Sequence, residues 1–410
     1  VIVARNSRYL GVLGGVLTPL ALCAPLVAAP KYRIIDLGSL CADNPYCGAN
    51  ALSINNLGQV VGEADSDCGG RRAFLWQNGL MTDITGHPCG FLGSAHDINN
   101  RGQVMLYVPP LSYRWDGGQI NPLGDLGFPD TTGSALNDLG QVVGTSYVNR
   151  YQFRAFRWQN GSIMDLGSLG GPKSGSVAWD INNAGEVVGV TGTDQPSDAR
   201  GFLWQKGVMT DIGALGGRRS YAYSINARGQ ITGVAERTSD PHDIDQHGFL
   251  WDNGEMADLS FLGGFEWSWA EAINNSGQVI GEGGELGTPD HPGTTISFLY
   301  DEKDSFRSLY GLLAPDSLWV SLSPNAINDS GQIVGYGNLD GWAKAFLMTP
   351  IFADFNENGA TDEDDFVSFQ SCLTGPASAE GSGCSLADLD RDGDADLVDF
   401  WKLQVWFGVE

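Results

Sequence analysis

Apolar residues along this chain fall in short clusters rather than in long helical stripes. Between residues 33 and 348 four kinds of cluster return in a fixed order: a run ending in Ile-Asn, a run like Gln-Val-Val-Gly, a run like Ala-Phe-Leu-Trp, and a run like Met-x-Asp-Leu-Gly. Each is bounded by Gly, Asn or Asp. Short apolar runs punctuated in this way predict β-strands joined by tight turns.

The first two runs form the clearest repeat. It reads INNLGQVVG at 54–62, INNRGQVML at 98–106, LNDLGQVVG at 136–144, INNAGEVVG at 181–189, INARGQITG at 225–233, INNSGQVIG at 273–281 and INDSGQIVG at 327–335. The third run follows each copy: AFLW at 73–76, SYRW at 112–115, AFRW at 155–158, GFLW at 201–204 and 248–251, SFLY at 297–300 and AFLM at 345–348. The fourth reads IIDLG from Ile34, MTDIT from Met81, LGDLG from Leu123, IMDLG from Ile163, MTDIG from Met209 and MADLS from Met256, with a drifted copy at 308–313. We name the predicted strands a (ending Ile-Asn), b, c and d. Asn-Asn-x-Gly between a and b, and Asn-Gly after c, supply residues that tolerate a left-handed backbone and close hairpins.

A four-stranded meander of this kind has two apolar faces and cannot bury both alone. Stacking the copies in a ring solves this, so the pattern predicts an all-β, seven-bladed β-propeller of four-stranded blades over 31–350. A solenoid is the rival arrangement, but spacings between copies that range from 38 to 54 residues suit blades with variable loops better. The chain order also predicts closure. A lone d strand at 33–38 precedes the first copy, and the last copy stops after c at Met348, so the first strand is expected beside 345–348 to complete the last blade. Three motifs recurring in fixed order over about 33–348 resemble the HAF repeats of bacterial extracellular proteins. That resemblance implies export and no particular activity.

After Pro350 the composition changes. Residues 354–410 hold 14 acidic and two basic residues. Two stretches have EF-hand ligand spacing: Asp354, Asn356, Asn358, Ala360 (by its carbonyl), Asp362 and Asp365, then Asp388, Asp390, Asp392, Asp394 (carbonyl), Asp396 and Asp399. Gly359 and Gly393 stand where such loops turn sharply. Oxygen donors at this spacing form a calcium cage, so two calcium ions are expected. Each loop is followed by an apolar helical face, Phe366, Phe369 and Leu373, then Phe400, Leu403 and Phe407. The duplicated loop–helix plan over 351–410 resembles a type I dockerin. The resemblance implies docking on a cohesin-like or cell-surface receptor. The residues preceding the last ligand differ between halves (Glu363 and Asp364, Leu397 and Val398), so the halves are not expected to bind interchangeably.

Charge narrows the partners. The 410 residues carry 49 acidic and 23 basic side chains, a formal charge of −26. Such a surface repels phosphate backbones and anionic lipids, so neither nucleic acid nor membrane is expected as a partner. Residues 1–29 read as a signal peptide: Arg5 and Arg8, a charge-free run from Tyr9, and small residues at Val27-Ala28-Ala29. Pro19, Pro25 and Gly11, Gly14 and Gly15 argue against a permanent span. A secreted or cell-surface protein, with no membrane span once the signal is removed, follows. Outside the signal six cysteines remain, an even number that suits disulfides in an exported chain. Six allow 15 pairings. Proximity in sequence suggests Cys41–Cys47, Cys68–Cys89 and Cys372–Cys384. A zinc site is the alternative, though no CxxC pair exists.

No catalytic motif stands out, and catalytic residues are left unassigned. His242 and His247, with Asp243 and Asp245, could hold a metal, but a solvated b–c loop is the simpler reading of that stretch. The recurring Asp of strand d suggests a structural role such as bonding a turn amide. The b–c connections vary most, reaching Ala235–Gly248 and Glu282–Ile296. Trp179, Tyr221, Tyr223, Trp267 and Trp269 enter strand a from that side and form a candidate ligand face, for example for a glycan; packing between blades is the competing explanation. The sequence therefore suggests a secreted, non-enzymatic binding or scaffold protein with a calcium-dependent attachment tail. A carbohydrate-active enzyme carrying a dockerin is the alternative.

Overall fold

The computed structural model describes residues 32–41, 44–67, 69–85, 92–195, 198–238, 246–287, 293–303, 305–351 and 369–370. The proposed signal peptide, both calcium loops, and Cys68, Cys89, Cys372 and Cys384 lie outside the described residues.

Seven antiparallel four-stranded sheets follow one another, six built from consecutive strands and one from the two ends of the repeat region. The protein is an all-β, seven-bladed propeller. Blade one shows the plan: a is Ala49–Ile54, b Val60–Asp65, c Arg71–Gln77 and d Leu80–Asp83. The a strands of consecutive blades approach one another around the whole ring, so a is innermost. In blade seven, a (Trp319–Ile327), b (Ile333–Leu339) and c (Trp342–Pro350) are joined by Tyr32–Asp36, which runs antiparallel to c with Tyr32 opposite Pro350 and Asp36 opposite Phe346. The first strand thus closes the ring and hides two open sheet edges.

Tight turns set the registers. Between c and d of blade one, Asn78 (φ 51°) and Gly79 (φ 82°) both take the left-handed region that a two-residue hairpin requires. The core lies between blades. The aromatic of strand c, as Phe74, Phe156, Phe202, Phe249, Phe298 and Phe346, is almost wholly buried. Each apolar cluster draws on neighbouring sheets: Phe74 and Trp76 of blade one pack with Val334, Ala345 and Leu347 of blade seven. A single such phenylalanine contributes about 1.5–3 kcal/mol through burial.

The Gly at the third position of strand b has a steric cause. In six blades a β-carbon there would collide with a carbonyl of strand a, as Gly62 would with that of Asn50 and Gly233 with that of Tyr221. Strand a bulges at this height in all seven blades, the register skipping Leu52, His96, Ser134, Trp179, Tyr223, Glu271 and Asn325. Blade two has Leu106 in place of the glycine.

Three boundaries differ from the sequence reading. In blade two, d is Gln119–Pro122 rather than the run from Leu123, because the Gly117-Gly118 turn pairs Asp116 with Gln119 and the strand stops at Pro122. In blade six, d is Ser305–Ser308, ahead of the 308–313 segment, which instead forms a short helical turn at Tyr310–Leu312. The long b–c hairpins extend farther than expected: only 237–245 and 286–293 separate their strands.

Candidate functional site: the wall of the central channel

The a–b turns of all seven blades meet around the central channel. The first Asn of each motif is buried and makes a bond to the next blade. Asn55 donates Nδ2 to the Asn99 carbonyl, Asn99 to Asn137, Asn137 to Asn182, Asn182 to Asn226, Asn226 to Asn274, Asn274 to Asn328, and Asn328 to Asn55, all at 2.9–3.1 Å. The same side chain also donates to the Gln or Glu four residues on and accepts backbone N–H groups of its own turn, as Asn55 does with Gln59 and Leu57. All its bonding groups are thus used inside the protein. The following positions form a second, more exposed belt, in which the Asp138 and Asp329 carboxylates accept from flanking asparagines. At Asp138, burial pushes the carboxyl pKa up, but bonds from Asn183 and Asn100 outweigh this and hold it below the usual range. These turns line an open cavity of about 200 Å³. Two carboxylates face it from one residue before the motif's Ile. Asp97 accepts from Ser53 Oγ (2.6 Å) and the Leu136 amide (2.8 Å), and Asp180 from Ser224 Oγ (3.0 Å) and the Ile225 amide (2.8 Å). Burial raises both, Asp97 to about 6.

On the same inner strands, two residues ahead of the last strand-a apolar residue, stand the seven bulge residues. A bulge leaves one residue without a cross-strand partner and re-aims its side chain. All seven are half-buried, and several reach along the ring to the next inner strand. His96 Nδ1 lies 3.0 Å from the Gly133 carbonyl, Asn325 donates to Asn50 and Ala51, and Trp179 meets Tyr223 edge-on with ring centroids 5.2 Å apart. The backbone plan repeats, yet the seven side chains are Leu, His, Ser, Trp, Tyr, Glu and Asn. The repeat supplies the scaffold and the bulge supplies chemical asymmetry.

The five aromatics singled out from the sequence fall on the inner strands of blades four, five and six: Ser176–Ile181, Ser220–Ile225 and Trp267–Ile273. Trp179 also lies 6.2 Å from Tyr221, and Trp267 meets Trp269 edge-on at 5.8 Å. None is among the buried blade-core residues, and Trp269 is 39% exposed. Glu271 extends this arc. Burial, and then the charge of Glu282, push its carboxyl up to about 7. Burial, and then the Glu271 charge, raise Tyr223.

The Asp of strand d has a structural explanation. Asp83, Asp165 and Asp211 accept the backbone N–H two residues on, and Asp258 that of Phe261. Their carboxylates also face a side-chain nitrogen on strand c: Arg72 to Asp83 at 2.5 Å, Arg154 to Asp165 and Arg200 to Asp211 at 3.8 Å, and His247 Nδ1 to Asp258 at 2.8 Å. His247 is therefore buried against strand d, while His242, Asp243 and Asp245 lie outside the described residues. Among the described residues no group of three or more His, Cys, Asp or Glu is placed to hold a metal. Cys41 and Cys47 form a disulfide. Among the described residues no helix is long and apolar enough to cross a membrane.

Comparison with known proteins gives fold neighbours. No protein-family model matches the chain, and no curated protein matches it. Solved structures similar to it include TolB from Acinetobacter baumannii (11% identity over 60% of each chain, TM-score 0.37) and the β-propeller domain of the Trilobed protease from Pyrococcus furiosus (6% identity, 74% of this chain and 95% of that one, TM-score 0.47). An Aleuria aurantia lectin in complex with Fucα1-6GlcNAc is similar over 63% of this chain and 94% of its own, at 10% identity and TM-score 0.33. These likenesses concern the fold alone. The chain thus spans 60% of the length of the TolB chain it matches.

Proposed function

We propose that this is a secreted, non-enzymatic binding protein whose propeller takes an extracellular saccharide on the aromatic arc of its channel, and whose tail attaches it through calcium. The observation that carries the reading is the placement of Trp179, Tyr221, Tyr223, Trp267 and Trp269. They lie on three successive inner strands and stay partly open while the blade cores are filled by other aromatics. Partly open rings offer flat apolar faces to the C–H faces of a sugar ring. Nearby Ser, Asn, His and Glu side chains offer bonds to its hydroxyls. The likeness of the repeats to HAF repeats, the signal-like residues 1–29 and the dockerin-like spacing of 354–399 support export and surface attachment through a cohesin-like or cell-surface receptor. The even cysteine count supports the same compartment.

A second reading, a carbohydrate-active enzyme, draws on the raised carboxyls of Asp97 and Glu271 in the channel. One paired experiment tests both. The full chain is screened on a glycan array, and the same polysaccharides are assayed for released reducing ends. Retained glycans without release, weakened in Trp179→Ala, support the binding protein. Release of reducing ends supports the enzyme. No retained glycan at all removes the saccharide reading.

A further inference from the structure

We infer that the saccharide read by this channel carries a free amine, its ammonium group seated against Glu271 beside Tyr223 and Trp179. The inference rests on the binding reading above and narrows its ligand class.

The inner wall has a one-sided charge. The seven innermost strands read ANALSI, SAHDI, TTGSAL, SVAWDI, SYAYSI, WSWAEAI and WVSLSPNAI. They contain three carboxylates, Asp97, Asp180 and Glu271, one histidine, and no lysine or arginine. Asp97 and Asp180 are each satisfied by a serine hydroxyl and backbone amides. Glu271 differs: among the described residues no hydrogen bond or ion pair reaches it. It stands half-buried at an unpaired bulge position, and its nearest charge is another carboxylate, Glu282, on the adjoining strand b (Val279–Glu285). The basic residue that opens strand a of blade five, Arg219, is taken by Glu236 at 3.6 Å.

A half-buried carboxylate with no partner is costly to keep ionised, and it relieves that cost by taking a proton or a cation. Protonation already responds in this way, since Glu271 holds its proton up to about pH 7. A ligand ammonium supplies the same compensation above that pH. The neighbouring groups suit an organic cation better than a bare metal ion. Tyr223, on the inner strand of the preceding blade, lies near enough to feel the Glu271 charge, and Trp179 packs edge-on against Tyr223, so aromatic rings flank the place where a cation on the carboxylate would sit and cation–π attraction would add to the ion pair. No group of three or more His, Cys, Asp or Glu is placed among the described residues to hold a metal there. The acidic surface, at −26 overall, also draws cations toward the channel and repels anionic sugars.

The test uses the full chain and three oligosaccharides of equal length: a glucosamine hexamer, an N-acetylglucosamine hexamer and a glucose hexamer, titrated by calorimetry at pH 7. The amine-bearing hexamer is expected to bind at least about 10-fold more tightly than its N-acetylated counterpart, the size of a charge-assisted bond. Glu271→Gln should bring the ratio of those two affinities close to one. Trp179→Ala should weaken both ligands. Glu255→Gln, on the outermost strand of blade five, should leave the ratio unchanged. Equal binding of the amine and N-acetyl forms, or a preference that survives Glu271→Gln, overturns the inference while leaving the saccharide reading in place. Oligolysine binding as tightly as the glucosamine hexamer, and displacing it, also overturns it, since the site would then read amines rather than sugars. Binding of none of the three hexamers removes the saccharide reading itself.

Discussion

Asn328 donates its Nδ2 hydrogen to the carbonyl of Asn55 at 3.0 Å, joining two residues 273 apart in the chain. That bond closes a circuit in which every blade holds the next by the same side chain. A side chain that bonds only within its own turn would stabilise one hairpin. This one fastens the inner edge of one sheet to another, while the strand at Tyr32–Asp36 fastens the outer edge of blade seven.

Asn328→Ala should therefore destabilise the propeller by about 1–3 kcal/mol, because it leaves the Gln332 amide without its acceptor in a buried turn and takes from the Asn55 carbonyl the one donor that comes from another blade, the Gly58 amide remaining. Asn328→Asp should cost more, since it sets a carboxylate against the Asn55 carbonyl and Gln332 Oε1. Asn137→Ala and Asn226→Ala, in blades far from the chain ends, should have effects of the same size. Denaturant titration monitored by tryptophan fluorescence measures all four. If only the Asn328 variants were weakened, the ring would matter at the closure alone.

Gly62→Ala should also destabilise, by about 1–3 kcal/mol through overpacking, although its backbone lies outside the left-handed region. The cause is the Asn50 carbonyl, which the strand-a bulge brings into the space a β-carbon needs. The same change at Gly233 meets the Tyr221 carbonyl and should cost a similar amount. Thermal unfolding of the two variants checks this. Unchanged melting temperatures would mean that the bulge yields easily.

The repeat made most of this fold legible. Asn-Asn-x-Gly and Asn-Gly name the hairpins, and the aromatic of strand c names the core. The solitary run at Ile34 foretells the closing strand. The boundaries that were missed have local causes: Asp125 lies in a run that mimics strand d, yet Pro122 has already ended the strand. The candidate site was only partly visible. Trp179 and Tyr223 stand out as large aromatics. Glu271, His96 and Asn325, which hold the same bulge position in other blades, do not, because a β-bulge leaves no composition of its own. A positional signal does exist: all occupy the third place before the motif's first Asn, the one place in an otherwise repeated run where every blade differs. Asp97 and Asp180 were hidden because the sequence does not show that their amide partners come from the next blade.

Calcium should bind the full chain with a stoichiometry of two, through Asp354, Asn356, Asn358, Asp362 and Asp365 and through Asp388, Asp390, Asp392, Asp396 and Asp399. Clustered carboxylates repel without a cation, and the helix that the sequence predicts after each loop would be too short to hold alone in water. Magnesium should substitute poorly, because it holds its water tightly and demands a smaller octahedron. Asp354→Ala and Asp388→Ala should each remove one ion and leave propeller unfolding unchanged. Calorimetric titration counts the ions, and fewer than two would remove the dockerin-like reading of the tail.

The last prediction concerns pH. Glu271 is raised to about 7 in the folded protein from the usual carboxylate range. Between pH ~4.5 and ~7 the native state therefore holds a proton that the unfolded chain has released. Where the native state binds more protons, stability falls as pH rises, so the Glu271 penalty is absent below that window and complete above it. Burial is the larger cause and the Glu282 charge the second, with Tyr223 beside them. Glu271→Gln removes the titration without removing a hydrogen bond. The variant should match the wild type at pH 4.5 and exceed it at pH 8 by an amount on the order of 1–3 kcal/mol. Asp97 and Asp180 shift in the same direction, but they are present in both proteins and cancel in the difference. Chemical denaturation of the pair at both pH values measures it. A variant less stable than the wild type at pH 8 would mean that Glu271 is ionised and paired in the folded protein, and the channel would then hold no uncompensated charge for a ligand to meet.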